Sequence, residues 1–149
     1  MLSLTEPAGF SSTPTSVAGC LIYRFENEAL EVLLLQQVKG NQLWGFPGGK
    51  LREGETLYDG MRREVYEETE LFVQARSVQY INTYYVRNDF GDFIYALYAM
   101  QLPPHSEINL NPKEHKDFGW FSNTEARQVN TIPHTIDCIE KFESSEYSM

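Results

Sequence analysis

The sequence predicts an α/β protein in which a mixed β-sheet is flanked by helices. The chain has 149 residues, 42% of them hydrophobic, which suits one globular domain with a real core. Segments rich in β-forming residues alternate with segments that have helical periodicity. No internal repeat or linker interrupts them. We therefore expect a single domain over residues 16–149, preceded by a flexible leader over residues 1–15 that is rich in Ser, Thr, Pro and Gly.

The first part of the domain reads as two strands and a loop. Residues 16–25 are rich in β-formers, and residues 26–28 form a polar turn. Residues 30–36 contain a continuous apolar run of strand length, which suits a strand buried on both faces. The two runs together predict a hairpin. Residues 38–52 are dense in glycine, proline and aromatic residues and are expected to form a loop.

A helix is predicted next, followed by a second hairpin. Thr56 can cap the start of this helix, and the helical pattern ends around Glu70 or Leu71. Two runs of strand composition follow, over residues 73–85 and 93–102. The polar segment 88–92 between them has the composition of a hairpin turn.

The C-terminal part is predicted to hold one short strand and two helices. Residues 103–116 read as a polar loop and residues 118–121 as a strand. Ser122 can cap a helix that runs to about Val129. A final helix over 135–145 would place apolar side chains on one face, at Ile136, Ile139 and Phe142.

Composition excludes several classes of function. The net charge of −9 and the pI near 4.8 argue against general nucleic-acid binding, which needs a basic surface. No run approaches the ~20 apolar residues of a membrane helix, and the N-terminus lacks the pattern of a signal peptide. Cys20 and Cys138 sit among apolar neighbours and read as buried free thiols. We expect a cytoplasmic protein that acts on a polyanion only with divalent cations as bridges.

Three carboxylates in the first helix indicate where such cations would bind. Glu64, Glu67 and Glu68 are spaced i, i+3, i+4 and share one helical face. Glu64 and Glu68 fall inside the apolar arc of the helix and Glu67 lies at its margin, whereas a merely solvated acidic face would point the opposite way. Oxygen ligands that need partners suit Mg²⁺, with Mn²⁺ as an alternative. The solvated face is the competing interpretation.

The segment around this helix resembles the Nudix box, G-x5-E-x7-R-E-U-x-E-E-x-G-U, in which U is a bulky apolar residue. The matching residues are Gly49, Glu55, Arg63, Glu64, Val65, Glu67, Glu68 and Leu71. Glu70 departs from the pattern, because the family has glycine there to end the helix in a left-handed conformation. Glutamate should cost roughly 1 kcal/mol at that position or shift the helix end. The preceding run, Trp44 to Gly48, also looks like the family.

The resemblance implies an α/β/α sandwich and a metal-dependent hydrolase of nucleoside diphosphates linked to another moiety. The resemblance implies that the metal ligands are Glu67, Glu68, Glu64 and the Gly48 carbonyl. Arg63 holds a carboxylate of the box in position. Either Glu64 or Glu114, from the loop before residues 118–121, acts as the general base; Glu114 could equally be a surface residue, and His115 reads as an ordinary loop histidine.

The substrate is less well specified by the sequence. Lys50 could contact phosphate, as could Arg24, and Phe46 and Tyr85 are among the aromatic residues that could stack on a base. We expect first a (modified) nucleoside triphosphate. The alternatives are ADP-ribose or a nucleotide sugar, a dinucleoside polyphosphate and 5′-triphosphate RNA. Isoprenoid diphosphate isomerisation and a non-catalytic nucleotide-binding module are further readings, and a homodimer is plausible by analogy with the family.

Overall fold

The part of the chain that the structure describes folds as three helices and a mixed sheet. The computed structural model describes residues 2–88 and 91–145. Within these ranges the strands are β1 (Leu2–Ser3), β2 (Thr15–Glu26), β3 (Ala29–Gln37), β4 (Trp44–Gly45), β5 (Gly48–Lys50), β6 (Val78–Asn88), β7 (Gly91–Gln101) and β8 (His115–Phe121). The helices are α1 (Leu57–Thr69), α2 (Asn123–Ala126) and α3 (Thr135–Glu143).

The strands form one sheet in the order β1-β6-β7-β2-β3-β4, with β5 also paired to β2 and β8 to β3. β2 runs parallel to β7, while the other pairs are antiparallel. This confirms the predicted mixed sheet, and the β2–β3 pairing confirms the first hairpin. None of the helices formed by the described residues is long and apolar enough to cross a membrane.

Both faces of the sheet are covered, as strand β3 illustrates. Leu33 and Leu35 point into a core with Met61 and Val65 of α1. Val32 and Leu34 belong to a second core, which contains Ala126 of α2 and the α3 side chains Cys138, Ile139 and Phe142. Burying each large aliphatic side chain contributes roughly 1.5–3 kcal/mol. The continuous apolar run of β3 therefore does lie between two layers, and the fold is the expected α/β/α sandwich.

Strand β2 changes partners along its length. Its last residues, from Tyr23 to Glu26, pair with β3, while Val17 to Gly19 pair with β5. The amide of Cys20 donates to the carbonyl oxygen of Pro47 at 3.0 Å. This divided pairing brings the glycine pair of β5 into the sheet next to α1.

Three predicted boundaries differ from those in the structure, and the backbone hydrogen bonds explain the last of them. The predicted loop 38–52 contains β4 and β5. The strand predicted over 73–85 begins only at Val78. The helix predicted to reach Val129 ends at Ala126, because the amide of Trp44 bonds to the carbonyl of Asn130 and the amide of Ile132 bonds back to the carbonyl of Trp44. The chain beyond α2 is thereby paired with β4 and cannot continue the helix.

The second hairpin is present, with Asn88 paired to Gly91. Residues 89 and 90 of the predicted turn lie outside the described residues.

The segment expected to be a flexible leader contacts the sheet. β1 pairs with β6, and β2 already begins at Thr15. Phe10 packs edge-on against Tyr85 with ring centroids 5.2 Å apart, and the amide of Ser11 donates to Asp92 at 2.8 Å. The structure thus differs from an unattached leader, because these contacts attach the segment to the β6–β7 hairpin.

Helix α1 has well-defined ends. The Thr56 hydroxyl accepts a hydrogen bond from the amide of Asp59 at 3.1 Å, as expected for an N-cap. At the other end Glu70 adopts the left-handed conformation, with φ 61° and ψ 19°, and its amide donates to the carbonyl of Tyr66. The helix therefore ends where a glycine would end it, in a conformation that is strained for glutamate.

We expect the Glu70→Gly variant to be more stable than the wild type by about 1 kcal/mol, because glycine adopts this conformation without the clash that a Cβ causes. The midpoint of urea unfolding at unchanged slope measures the gain. Glu70→Ala is the control, since it removes the same side chain but keeps the Cβ. An equal gain in both variants would show that the backbone conformation is not the cause.

Candidate active site

A cleft of about 850 Å³ opens beside the N-terminal half of β2. It gathers residues that are far apart in the sequence, and its lining side chains include three chemical groups. Carboxylates and a histidine form the first group: Glu64, Glu68, Glu114 and His115. Lysines form the second: Lys39, Lys50 and Lys113. Ring side chains form the third: Phe46, Phe93, Tyr95 and His134.

The three carboxylates of α1 have different environments. Glu68 is only 4% exposed, and its Oε1 accepts a hydrogen bond from the amide of Gly48 at 2.9 Å. Glu64 is half-buried, and Glu67 is the most open, with 36% of its side chain exposed. The helical periodicity thus correctly predicts that Glu68 points inward and that Glu67 lies at the margin.

Two glycines make this arrangement sterically possible. A Cβ at Gly49 would lie 2.6 Å from the carboxyl carbon of Glu64. A Cβ at Gly48 would lie 2.5 Å from the carbonyl oxygen of Ala18. β5 can therefore pass between β2 and the helix carboxylates only because both residues lack a side chain.

Arg63 binds several acceptors at once and holds the carboxylates in place. Its Nε and Nη2 atoms donate to the two carboxylate oxygens of Glu55 at 2.7 and 2.9 Å. Its Nη1 donates to Glu64 at 2.8 Å and to Glu67 at 3.1 Å, and Nη2 also reaches the carbonyl of Lys50. Hydrogen bonds from Arg63, and then from the Arg52 amide, lower the pKa of Glu55 to about 2. The guanidinium therefore faces carboxylates and backbone, in agreement with a positioning role.

Burial makes Glu68 and Glu64 harder to ionise. Desolvation raises the pKa of Glu68 to about 9, and the neighbouring charges of Glu64 and Glu114 add to it. Desolvation also raises the pKa of Glu64, in spite of the opposing hydrogen bond from Arg63. A divalent cation would reverse this balance by favouring the charged forms.

Glu114 and His115 complete a compact group with Glu68. Ligand atoms of the three side chains all lie within 4.8 Å of one another. The sequence pattern singled out Glu114 but treated His115 as an ordinary loop residue. In the structure His115 begins β8 and is 8% exposed. Its position next to Glu114 was the only signal that could have pointed to it.

These residues fit a divalent cation. Carboxylate oxygens are the ligands that Mg²⁺ and Mn²⁺ prefer, and a buried carboxylate surrounded by other carboxylates lacks a compensating charge. Glu68, Glu114 and Glu64 could hold such an ion from inside the cleft. Glu67 lies outside the compact group and is hydrogen-bonded by Arg63. The backbone amide of Gly48 donates a hydrogen bond to Glu68.

The ring-lined part of the cleft contains a second histidine that the sequence analysis missed. His134 has a left-handed backbone with φ 76° and stacks beside Tyr95, with ring centroids 5.1 Å apart. Burial lowers the pKa of His134 to about 4, so its ring is neutral near pH 7. Its Nδ1 is buried and has no hydrogen-bond partner among the described residues. Strained backbone and an unpaired polar atom are features of ligand-binding positions.

Two of the four predicted substrate contacts line the cleft, and two do not. Lys50 and Phe46 line it. Val17 of β2 lines the cleft, and Arg24 lies seven residues further along the same strand. At ~3.3 Å per residue, the two are about 23 Å apart. Arg24 pairs with Glu31 at 2.9 Å and covers the ring of Trp120. Tyr85 packs on Phe10 instead of lining the cleft. Strand composition alone could not place either residue relative to the cleft.

Comparison with known proteins identifies the family. The NUDIX domain model matches residues 13–141. The human protein "Nucleoside diphosphate-linked moiety X motif 6" is 30% identical over 130 residues, which are 85% of this chain and 40% of that protein. The chain belongs to the Nudix family. It spans less than half the length of this human relative.

Solved structures show the same fold. The NUDIX domain of NrtR from Shewanella oneidensis, complexed with ADP ribose, superposes with a TM-score of 0.75 at 20% identity and covers 92% of this chain and 90% of its own. A C. elegans Ap4A hydrolase gives a TM-score of 0.69 at 22% identity over 87% of this chain and 96% of that one. At these identities the likeness concerns the architecture.

We expect the metal-free protein to lose stability as the pH rises. Between the ordinary pKa of a glutamate, 4.5, and about 9, the folded protein keeps a proton on Glu68 that the unfolded chain has released. This group therefore lowers the free energy of unfolding by up to about 1.4 kcal/mol per pH unit across that window. Urea unfolding in EDTA from pH 7 to 9 measures the slope, because below pH 7 the lowered pKa values of His134 and His115 make stability rise with pH and oppose it.

Two glutamine variants serve as the comparison. Glu68→Gln should remove this contribution, while Glu70→Gln, on the exposed end of the same helix, should leave the slope unchanged. Equal slopes in the wild type and Glu68→Gln would contradict the assignment.

Proposed function

We propose that the protein is a divalent-cation-dependent pyrophosphohydrolase of nucleoside diphosphate derivatives, with a (modified) nucleoside triphosphate as its first candidate substrate. The observation that supports this best is the buried carboxylate of Glu68, which faces Glu64 and Glu114 in a cleft that also carries lysines and aromatic rings. Such a cleft suits a ligand with an anionic end and a flat, apolar end.

The anionic end is proposed to bind where the carboxylates converge. Glu68, Glu114 and the Gly48 carbonyl are the proposed cation ligands inside the cleft, and Lys50 is the proposed phosphate contact. Glu67, which Arg63 holds at the margin in this structure, is proposed to join the ligands when the cation binds. When bound, the cation would neutralise charge on the phosphate oxygens and on the leaving group. Water attacks a phosphorus of the pyrophosphate, the bond to the bridging oxygen breaks, and a nucleoside monophosphate and pyrophosphate leave.

Glu64 is the proposed general base, which takes the proton from that water. It lines the cleft, it is half-buried, and its pKa is raised by burial. Arg63 holds its carboxylate at 2.8 Å and so fixes its orientation. Glu114 is exposed, and its carboxylate forms the compact group with Glu68 and His115. This position suits a cation ligand better than a general base.

The nucleobase is proposed to bind among the rings of Phe93, Tyr95 and His134. A neutral imidazole with an unpaired Nδ1 can exchange a hydrogen bond with a base edge, and the aromatic faces can stack on it. Asp92 lines the same wall and is held by Arg87 and the Ser11 amide.

Two of the similar solved structures are the reason for considering other substrates. One similar domain is complexed with ADP ribose and another similar protein is an Ap4A hydrolase. A module that binds nucleotide without turnover is the candidate of another class. The cytoplasmic location and the homodimer that the sequence suggested stay predictions.

A substrate panel tests the proposal. We expect Mg²⁺- or Mn²⁺-dependent hydrolysis of one member of a set containing dNTPs, 8-oxo-dGTP, ADP-ribose, a UDP-sugar, diadenosine tetraphosphate and triphosphorylated RNA. Chromatography of the products measures it, because ADP-ribose, the UDP-sugar and the dinucleotide are cleaved without release of free phosphate or pyrophosphate. The Glu67→Gln, Glu68→Gln double variant should lose this turnover because it removes two cation ligands. Glu70→Gln is the matched control and should keep wild-type turnover. Binding of a nucleotide by folded protein without turnover of any member would favour the non-catalytic module.

The roles of Glu64 and Glu114 are separable by kinetics. We expect Glu64→Gln to lower kcat by about 10²- to 10⁴-fold at saturating cation, since loss of a general base is not corrected by more metal. Glu114→Gln should raise the cation concentration needed for half-maximal rate and recover much of its kcat when cation is in excess. The rate of each variant, measured against cation concentration, decides which residue is the base and which is the cation ligand. The opposite pattern would make Glu114 the base.

A further inference from the structure

We propose that His115 is a nitrogen ligand of the cation that Glu68 and Glu114 hold, and that it makes this position prefer Mn²⁺ over Mg²⁺. The inference concerns the cleft of the proposed function and rests on it for its location. It goes further in naming a ligand outside the carboxylate set and the metal preference that follows.

The backbone delivers His115 to the correct face of the sheet. β8 pairs with β3, and their register shifts by one residue where Gln36 faces Asp117 and Gln37 faces His115. In a regular strand His115 would share the face of Phe121, which lies in the core on the α3 side. One extra residue, Lys116, moves His115 to the other face, where α1 lies. A β-bulge beside a cleft commonly has this effect of redirecting a side chain.

The start of the strand is firmly held. The amide of Val38 donates to the carbonyl of Glu114 at 3.0 Å, and the amide of His115 donates to the carbonyl of Asn111 at 3.0 Å. Glu114 and His115 are therefore presented together by backbone hydrogen bonds. Their side chains do not depend on a free loop for their position.

One ring nitrogen of His115 is buried without a hydrogen-bond partner in the described part of the chain. This atom is Nδ1, and the residue as a whole is 8% exposed. Buried side-chain nitrogens are nearly always paired, so an unpaired one calls for an absent ligand. A ring nitrogen of His115 lies within 4.8 Å of carboxylate oxygens of both Glu68 and Glu114. A cation between the three would pair all of them.

The donor set determines the preference. Mg²⁺ favours oxygen ligands and gives up its water molecules reluctantly. Imidazole nitrogen suits first-row transition cations, and carboxylate suits Mn²⁺ as well as Mg²⁺. One nitrogen with two carboxylates therefore adds affinity for Mn²⁺ that it does not add for Mg²⁺.

Binding measured without nucleotide tests the proposal. Mn²⁺ affinity follows from the EPR signal of the free ion in untagged protein, and Mg²⁺ affinity from competition. We expect His115→Gln to weaken Mn²⁺ binding about 10-fold or more and to change Mg²⁺ binding by less than about 3-fold, since glutamine replaces the nitrogen donor with an oxygen. His105→Gln, at an exposed loop position, is the matched control. Equal loss for both metals, or for neither, would overturn the preference.

Pulsed EPR of bound Mn²⁺ supplies a test that needs no change at His115. The sequence has three histidines, His105, His115 and His134. In the His105→Gln, His134→Gln double variant, the ¹⁴N coupling of a directly bound imidazole should persist, and it should change to ¹⁵N coupling after labelling with ¹⁵N-histidine. Absence of nitrogen coupling from bound Mn²⁺ would overturn the proposal. Neither readout requires turnover, so a catalytically silent protein that shows nitrogen coupling would separate this inference from the proposed hydrolysis.

Discussion

The site depends on a single buried carboxylate. Glu68 is withdrawn from water by the packing of α1 on the sheet, and the amide of Gly48 gives it one hydrogen bond. That bond does not offset the loss of water or the charges of the carboxylates around it, as the raised pKa of Glu68 shows. A group in this position is costly to the empty protein and becomes favourable when a cation arrives. This cost in stability is what the proposed cation would remove on binding.

The surrounding parts serve this carboxylate in different ways. The two glycines of β5 let the backbone approach α1, since any side chain at Gly49 would displace Glu64. Arg63 holds the two neighbouring carboxylates, with hydrogen bonds of 2.8 Å to Glu64 and 3.1 Å to Glu67. Glu55 in turn neutralises the arginine, so Arg63 itself does not replace the cation.

Local patterns in the sequence were sufficient for the helix and its charged face. Periodicity placed Glu64 and Glu68 toward the core, Thr56 gave the start of α1, and the apolar run of β3 gave a strand covered on both sides. What the sequence could not supply was the relation between distant segments. His115 reaches the α1 face through one irregular pairing between β3 and β8. His134 lines the cleft from the left-handed position that precedes α3. Arg24 does not line the cleft, and the sequence could not show this, because its distance from the cleft depends on which end of β2 the cleft occupies.

The attachment of residues 2–11 to the β6–β7 hairpin has a consequence for how this protein is handled. Asp92 belongs to the cleft wall, and its carboxylate is held jointly by Arg87 and by the amide of Ser11. Arg87 also donates to the carbonyl of Ala8. The amino-terminal segment is therefore tied by hydrogen bonds to the cleft wall that carries Asp92. Removing this segment would release that wall and leave the carboxylates of α1 in place.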